Sequence, residues 1–131
     1  MLAKLTVRDY MTAHPVVFKT ETDIFGAIRQ LIAHKITGAP VVDDHGRLLG
    51  LFSELDCMRV VASASYFEEM PGKVHDIMTS DIEAVTGNTS IVELAEIFAR
   101  SNLRQLPVVE NGQLVGVISR VDVLKALVAN W

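Results

Sequence analysis

Two Ser-x-x-Asp pairs, Ser53 with Asp56 and Ser119 with Asp122, are the residues of this 131-residue chain best suited by type and spacing to chemistry. Each pair follows a glycine, Gly50 or Gly116, at the end of an apolar run. At a strand-to-helix junction this spacing builds a capping box: the serine oxygen accepts from the third helical N–H and the carboxylate accepts from the serine N–H. The other reactive types carry less. His14, His34, His45 and His75 have no metal-site spacing and no cysteine partners, so no metal is expected. Cys57 opens the helix after Asp56, where a thiolate could be stabilised, but its counterpart in the second pair's surroundings is Val123, and it reads as a small buried hydrophobe. With no nucleophile elbow, glycine-rich phosphate loop or separated carboxylate pair, nothing points to an enzyme.

The elements that hold these pairs occur twice. Residues 7 to 42 align with 74 to 109, and 46 to 58 with 112 to 124, one residue being lost in a turn. Val7-Arg8-Asp9-Tyr10-Met11-Thr12 matches Val74-His75-Asp76-Ile77-Met78-Thr79, and Pro40-Val41-Val42 matches Pro107-Val108-Val109. In the first copy Val16-Val17-Phe18 is a short β-rich run. Ile24, Ala27, Ile28, Leu31 and Ile32 then form one helical stripe capped by Thr22. The second copy repeats the stripe as Ile91, Leu94, Ala95, Phe98 and Ala99, with Thr89 or Ser90 as cap and Glu93 completing a capping box with Ser90. Ala39 to Val42 and Arg47 to Phe52 flank the turn Asp43-Asp44-His45-Gly46, and the matching turn shrinks to Glu110-Asn111-Gly112. A last helix starts at Ser53 or Ser119. The expected fold is α/β, each repeat running β-α-β-β-α with a three-stranded sheet and two helices. One such repeat leaves an apolar face uncovered, so two must pack together. The expected division is repeat 1 over 1–65, a linker over 66–73 containing Pro71-Gly72, and repeat 2 over 74–131, with Tyr66, Phe67, Met70 and Trp131 clustering at linker and tail.

Composition removes other classes. A formal charge of -4, with acids and bases interspersed, argues against nucleic acid as a partner. No apolar run approaches the roughly 18 to 20 residues that cross a bilayer, and Lys4, Arg8 and Asp9 interrupt the start, so no membrane partner or signal peptide is expected. A single cysteine suits a reducing compartment, and a cytoplasmic location is expected.

The "DYMT" and "DIMT" openings, the "PVV" strands and the "GLFSELD" and "GVISRVD" endings, in one order twice over, resemble a tandem cystathionine-β-synthase (CBS) domain pair, or Bateman module, across about residues 5 to 128. The resemblance implies two repeats related by a pseudo-twofold axis and a stand-alone regulatory pair. It further implies that Asp56 and Asp122 accept both ribose hydroxyls of an adenosine while Ser53 and Ser119, with the helix N–H groups, meet phosphate. A carboxylate can take a cis-diol in bidentate fashion, and helix N-termini attract anions. Arg120 would then favour phosphate where Glu54 repels it. Arg104 would reach toward phosphate held by the other repeat, its counterpart Thr37 supplying only a hydroxyl. By the same resemblance the adenine walls come from Thr12 to Val16, including His14, with Ile36 to Ala39, including Gly38, and from Thr79 to Ile82 with Leu103 to Leu106. The implied ligand is AMP, ADP or ATP acting as a regulator, with NAD or S-adenosylmethionine as alternatives, and no cofactor is required. A homodimer built from Ser53 to Ser65 and Val121 to Trp131 and an unidentified target protein are the implied partners. A docking module that binds no ligand remains a second reading.

Overall fold

A computed structural model describes residues 2–63 and 72–131. In chain order the elements are a one-turn helix α1 (Val7–Tyr10), strand β1 (Thr12–Ala13), helix α2 (Ile24–His34), strands β2 (Gly38–Val42) and β3 (Leu48–Ser53), helix α3 (Glu54–Ala62), a one-turn helix α4 (Val74–Ile77), helix α5 (Ile91–Ala99), strands β4 (Gln105–Glu110) and β5 (Gln113–Ser119), and helix α6 (Arg120–Ala129). They fall into two compact units, Val16–Ile82 and Met1–Pro15 with Glu83–Trp131. The units are not the two sequence copies. The leading segment of the first copy lies in the unit that holds the second copy's strands, and the leading segment of the second copy lies in the unit that holds the first copy's. The expected division at 1–65, 66–73 and 74–131 follows the copies instead, and most of its linker, with Tyr66, Phe67 and Met70, lies outside the described residues.

In the Val16–Ile82 unit, β2 and β3 form the hairpin that the turn chemistry requires. Asp43 closes it: its carboxylate accepts from Arg47 N at 2.9 Å and His45 N at 2.8 Å, and the Arg47 bond leads in holding this carboxyl below its usual range. Gly46 supplies the left-handed φ of 79°. On one edge Phe18 bridges to Val41 in parallel, donating to Pro40 O and accepting from Val42 N, both at 2.9 Å. The expected strand Val16–Phe18 is thus one bridged residue. It stops there because the Thr22 hydroxyl accepts from Lys19 N and turns the chain. That commitment also moves the α2 cap from Thr22 to Asp23, which accepts from Gly26 N at 2.9 Å. On the other edge Thr79 pairs with Leu51 through reciprocal bonds of 2.8 and 2.9 Å.

The helix buries Ile24, Ala27 and Leu31 against Phe18, Val41 and Phe52, whose two rings meet edge to face at 5.7 Å. Ile32, expected in the same stripe, is 71% exposed. Eight residues at 3.6 per turn rotate it about 80° from Ile24, past the edge of the buried face.

The second unit has the sheet order β1-β5-β4, with Val85 bridging Val108 as Phe18 bridges Val41. Asn111 and Gly112, with φ of 53° and 79°, form a two-residue hairpin turn. On α5, Ile91, Leu94, Ile97 and Phe98 are buried, and Ala99, again eight residues along, is exposed in place of the expected core position. Ser90 caps α5 by accepting from Glu93 N at 3.0 Å, but among the described residues the Glu93 carboxylate does not return the bond. The leader lies close on β5, Thr12 opposite Val117 and Ala13 opposite Gly116. A Cβ on Gly116 would meet Thr12 O at 2.7 Å, and one on Gly50 would meet Thr79 O at 2.6 Å. Both strands need glycine here because a second backbone lies where a side chain would stand.

Candidate functional site

In each unit the last strand runs into a helix through a serine that is both the strand's end and the helix N-cap. Both capping boxes form. Asp56 Oδ2 accepts from Ser53 N at 2.8 Å and from Ser53 Oγ at 3.1 Å, while Ser53 Oγ accepts from Asp56 N at 3.4 Å. Asp122 Oδ2 accepts from Ser119 N at 2.8 Å and Ser119 Oγ at 3.0 Å, and Ser119 Oγ accepts from Asp122 N at 3.3 Å. The first helical amides are used as well: Glu54 N donates to Thr37 O at 2.8 Å and Arg120 N to Arg104 O at 3.1 Å. Those amides are therefore not open to an anion without rearrangement, and Thr37 and Arg104 take part through their carbonyls. The Arg104 side chain is exposed.

The two carboxylates differ in their remaining oxygen. Asp56 is 4% exposed, and its Oδ1 accepts from Thr79 Oγ1 at 2.8 Å and lies 3.5 Å from Arg59 Nη1. Asp122 is half-buried, and among the described residues its Oδ1 has no partner. Arg59 was not among the residues singled out by sequence, although its position three residues after Asp56 on a helix is a recognisable pairing distance. Thr79 was expected as an adenine wall; its bond to Asp56 spans a sequence separation that no local pattern reveals.

Arg120 is engaged on its own unit. Its Nε donates to Leu103 O at 2.6 Å and its Nη2 to Ser101 O at 2.9 Å, so the guanidinium braces the segment entering β4. Glu54 is exposed and forms no ion pair among the described residues. Of the expected wall residues, Val16, Ile36, Gly38, Thr79 and Ile82 belong to the Asp56 unit, and Thr12, His14 and Leu103 to the Asp122 unit. The expected pairings join residues of different units, Thr12 with Ile36 and Thr79 with Leu103. Gly38 faces Ser53 across the hairpin, where a Cβ would lie 3.0 Å from the serine Cβ. His14 is exposed with φ 53°, an uncommon conformation outside glycine.

Cys57 is buried, and burial first, then the neighbouring Asp56 charge, pushes its thiol pKa up. A raised pKa withholds the thiolate that nucleophilic chemistry needs. Among the described residues no group of three or more His, Cys, Asp or Glu side chains could hold a metal, and no helix is long and apolar enough to cross a membrane. A separate groove of about 470 Å³, lined by Glu83, Val85, Thr86, Glu93, Ile97 and Arg100 among others, contains no capping-box residue.

The CBS domain family model matches residues 7–63 and again 74–129. The crystal structure of CBSX2 from Arabidopsis thaliana in complex with AMP is similar at 30% identity with a TM-score of 0.88, over 96% of this chain and 98% of that one. ATU1752, a CBS-domain-containing protein from Agrobacterium tumefaciens, is similar at 32% identity and a TM-score of 0.81, over 95% of this chain and 94% of its own. The uncharacterized protein MJ1225 of Methanocaldococcus jannaschii is 31% identical over 125 residues, which are 95% of this chain; the chain spans 44% of that relative's length.

Proposed function

This chain belongs to the CBS-domain family as a tandem pair of its repeats, and from that premise we propose that it is a regulatory module binding an adenine nucleotide, AMP, ADP or ATP, and acting on a partner protein. One observation carries the proposal: the Asp122 carboxylate is held in orientation by Ser119 through Oδ2 while Oδ1 has no partner among the described residues. A ribose presents two adjacent hydroxyls, and a fixed, charged acceptor is what such a diol needs. That CBSX2 is solved with AMP supports an adenosine as the ligand. Ser53 and Asp56 form the same cap in the first copy and make the second ribose acceptor. Arg104, exposed beside the start of α6, and Thr37 beside α3 flank the phosphate end, while Arg120 acts by ordering the Leu103 segment. The base rests against Thr12, His14 and Leu103 near Asp122, and against Val16, Ile36, Gly38, Thr79 and Ile82 near Asp56. The chain acts as a regulator rather than an enzyme, in the cytoplasm, and assembles as a homodimer. The apolar residues that α3 and α6 expose support that assembly, and they equally fit the second reading, a docking module without ligand.

A thermal-shift panel of AMP, ADP, ATP, NAD and S-adenosylmethionine tests the proposal. Ligand at a hundred times its dissociation constant stabilises the folded state by about 2.7 kcal/mol. A shift with the adenine nucleotides is expected. No shift with any of the five favours the docking module, and a shift with NAD or S-adenosylmethionine alone reassigns the ligand.

A further inference from the structure

Thr12 and Thr79 stand at matching positions, opposite Val117 on β5 and Leu51 on β3, yet their hydroxyls are used differently. The Thr79 hydroxyl donates to Asp56 Oδ1 at 2.8 Å; Thr12 is exposed and donates nothing to Asp122. Arg59 adds a guanidinium 3.5 Å from the same Asp56 oxygen, whereas its counterpart Lys125 forms no ion pair with Asp122 among the described residues. An ionised carboxylate has about four acceptor sites. Asp56 accepts from Ser53 N, Ser53 Oγ and Thr79 Oγ1 and faces Arg59 as an ion pair, inside a 4% exposed setting. Asp122 keeps a whole oxygen open.

We propose that Thr79 is an occupancy-determining residue: its hydroxyl sits where a ligand hydroxyl would bond to Asp56, so the first carboxylate is closed from within and ligand enters at Asp122 first. This rests on the adenosine reading and deepens it. The closure is a side-chain device. Thr79 is tied to Leu51 by its backbone N–H and carbonyl, so turning its χ1 to another staggered well frees Asp56 without unpairing the strand edge. A ligand at Asp56 must displace a hydrogen bond to a charged group, which lowers its affinity there by about tenfold or more relative to an open acceptor.

Calorimetric titration of the full chain with AMP decides the matter, using Thr79→Val, which removes the hydroxyl at nearly constant volume, and Thr79→Ser, which keeps it. Wild type is expected to bind one tight equivalent per chain, weakened about ten- to a hundredfold in Asp122→Asn. Thr79→Val is expected to gain a second equivalent, or at least a tenfold tighter weak phase, that Asp56→Asn removes, while Thr79→Ser behaves as wild type. Should Thr79→Val destabilise the fold, Thr79→Ser with Arg59→Gln keeps the hydroxyl and relieves only the ion pair, and it is expected to stay at one tight equivalent. Two equal equivalents in wild type, or one unchanged equivalent in Thr79→Val, overturn the closure while leaving the adenosine reading intact. Absence of binding to wild type and Thr79→Val alike overturns both.

Discussion

Asp122 is the partner of a cap and, in the proposed reading, the residue offered to a ligand, and the two roles separate by substitution. Asn keeps an oxygen for Ser119 N and Ser119 Oγ, so Asp122→Asn retains the geometry of the box and loses the charge. Its melting temperature is expected to fall little, by the equivalent of about 1 kcal/mol or less. AMP binding, which loses a charged acceptor worth about 1.5 to 3 kcal/mol, is expected to weaken about ten- to a hundredfold. Equal losses in both would make the residue a cap alone. Cys57 offers an independent check on the site's interior. Its thiol pKa is raised by burial, so the folded protein binds this proton more tightly than the unfolded chain does, and the stability it carries is complete below the unfolded thiol's pKa and is lost progressively as pH rises from there through the folded one. Iodoacetamide at pH 8 is therefore expected to modify Cys57 in the folded protein much more slowly than in urea; equal rates would show that the thiol is not buried.

At the scale of elements, the glycines in the closing strands govern where the leaders sit. Gly116→Ala puts a Cβ 2.7 Å from Thr12 O, and backbone cannot yield as a flexible side chain does. The expected result is a destabilisation of about 1 to 3 kcal/mol, measured by urea unfolding, against near neutrality for Gly72→Ala, where a Cβ meets nothing within 4 Å. The hairpins and the two capping boxes were legible in the sequence because each is specified within a few residues: Asn111-Gly112 can take positive φ, and Ser-x-x-Asp closes on itself. The exchange of leaders was not, because residues 7–13 and 74–80 carry no periodicity that says which strand edge they join. The signal that was available is the glycine in mid-strand, which marks a close backbone approach without saying whose backbone. Thr79 meets Asp56 only through that pairing, so its role was hidden with it.

At the scale of the molecule, α3 and α6 carry an exposed apolar surface. Leu55, Met58 and Val61 on α3, and Val121, Leu124 and Val128 on α6, are each more than half exposed, and Trp131 is 99% exposed. Such stripes are ordinarily covered in soluble proteins. A second copy is the proposed cover, and Leu124→Asp with Val128→Asp is expected to convert a dimer to a monomer in light scattering, whereas a wild-type chain already monomeric at micromolar concentration would contradict the homodimer. Two caps of one design, one carboxylate open and one closed, on a family fold whose AMP-bound relative superimposes over nearly its whole length, make nucleotide binding the central claim. The most direct measurement is calorimetric titration of AMP into wild type and into the double variant Asp56→Ala with Asp122→Ala. Saturable binding to wild type, weakened at least tenfold in the folded double variant, is the expected result; undiminished affinity in that variant would contradict the ribose assignment.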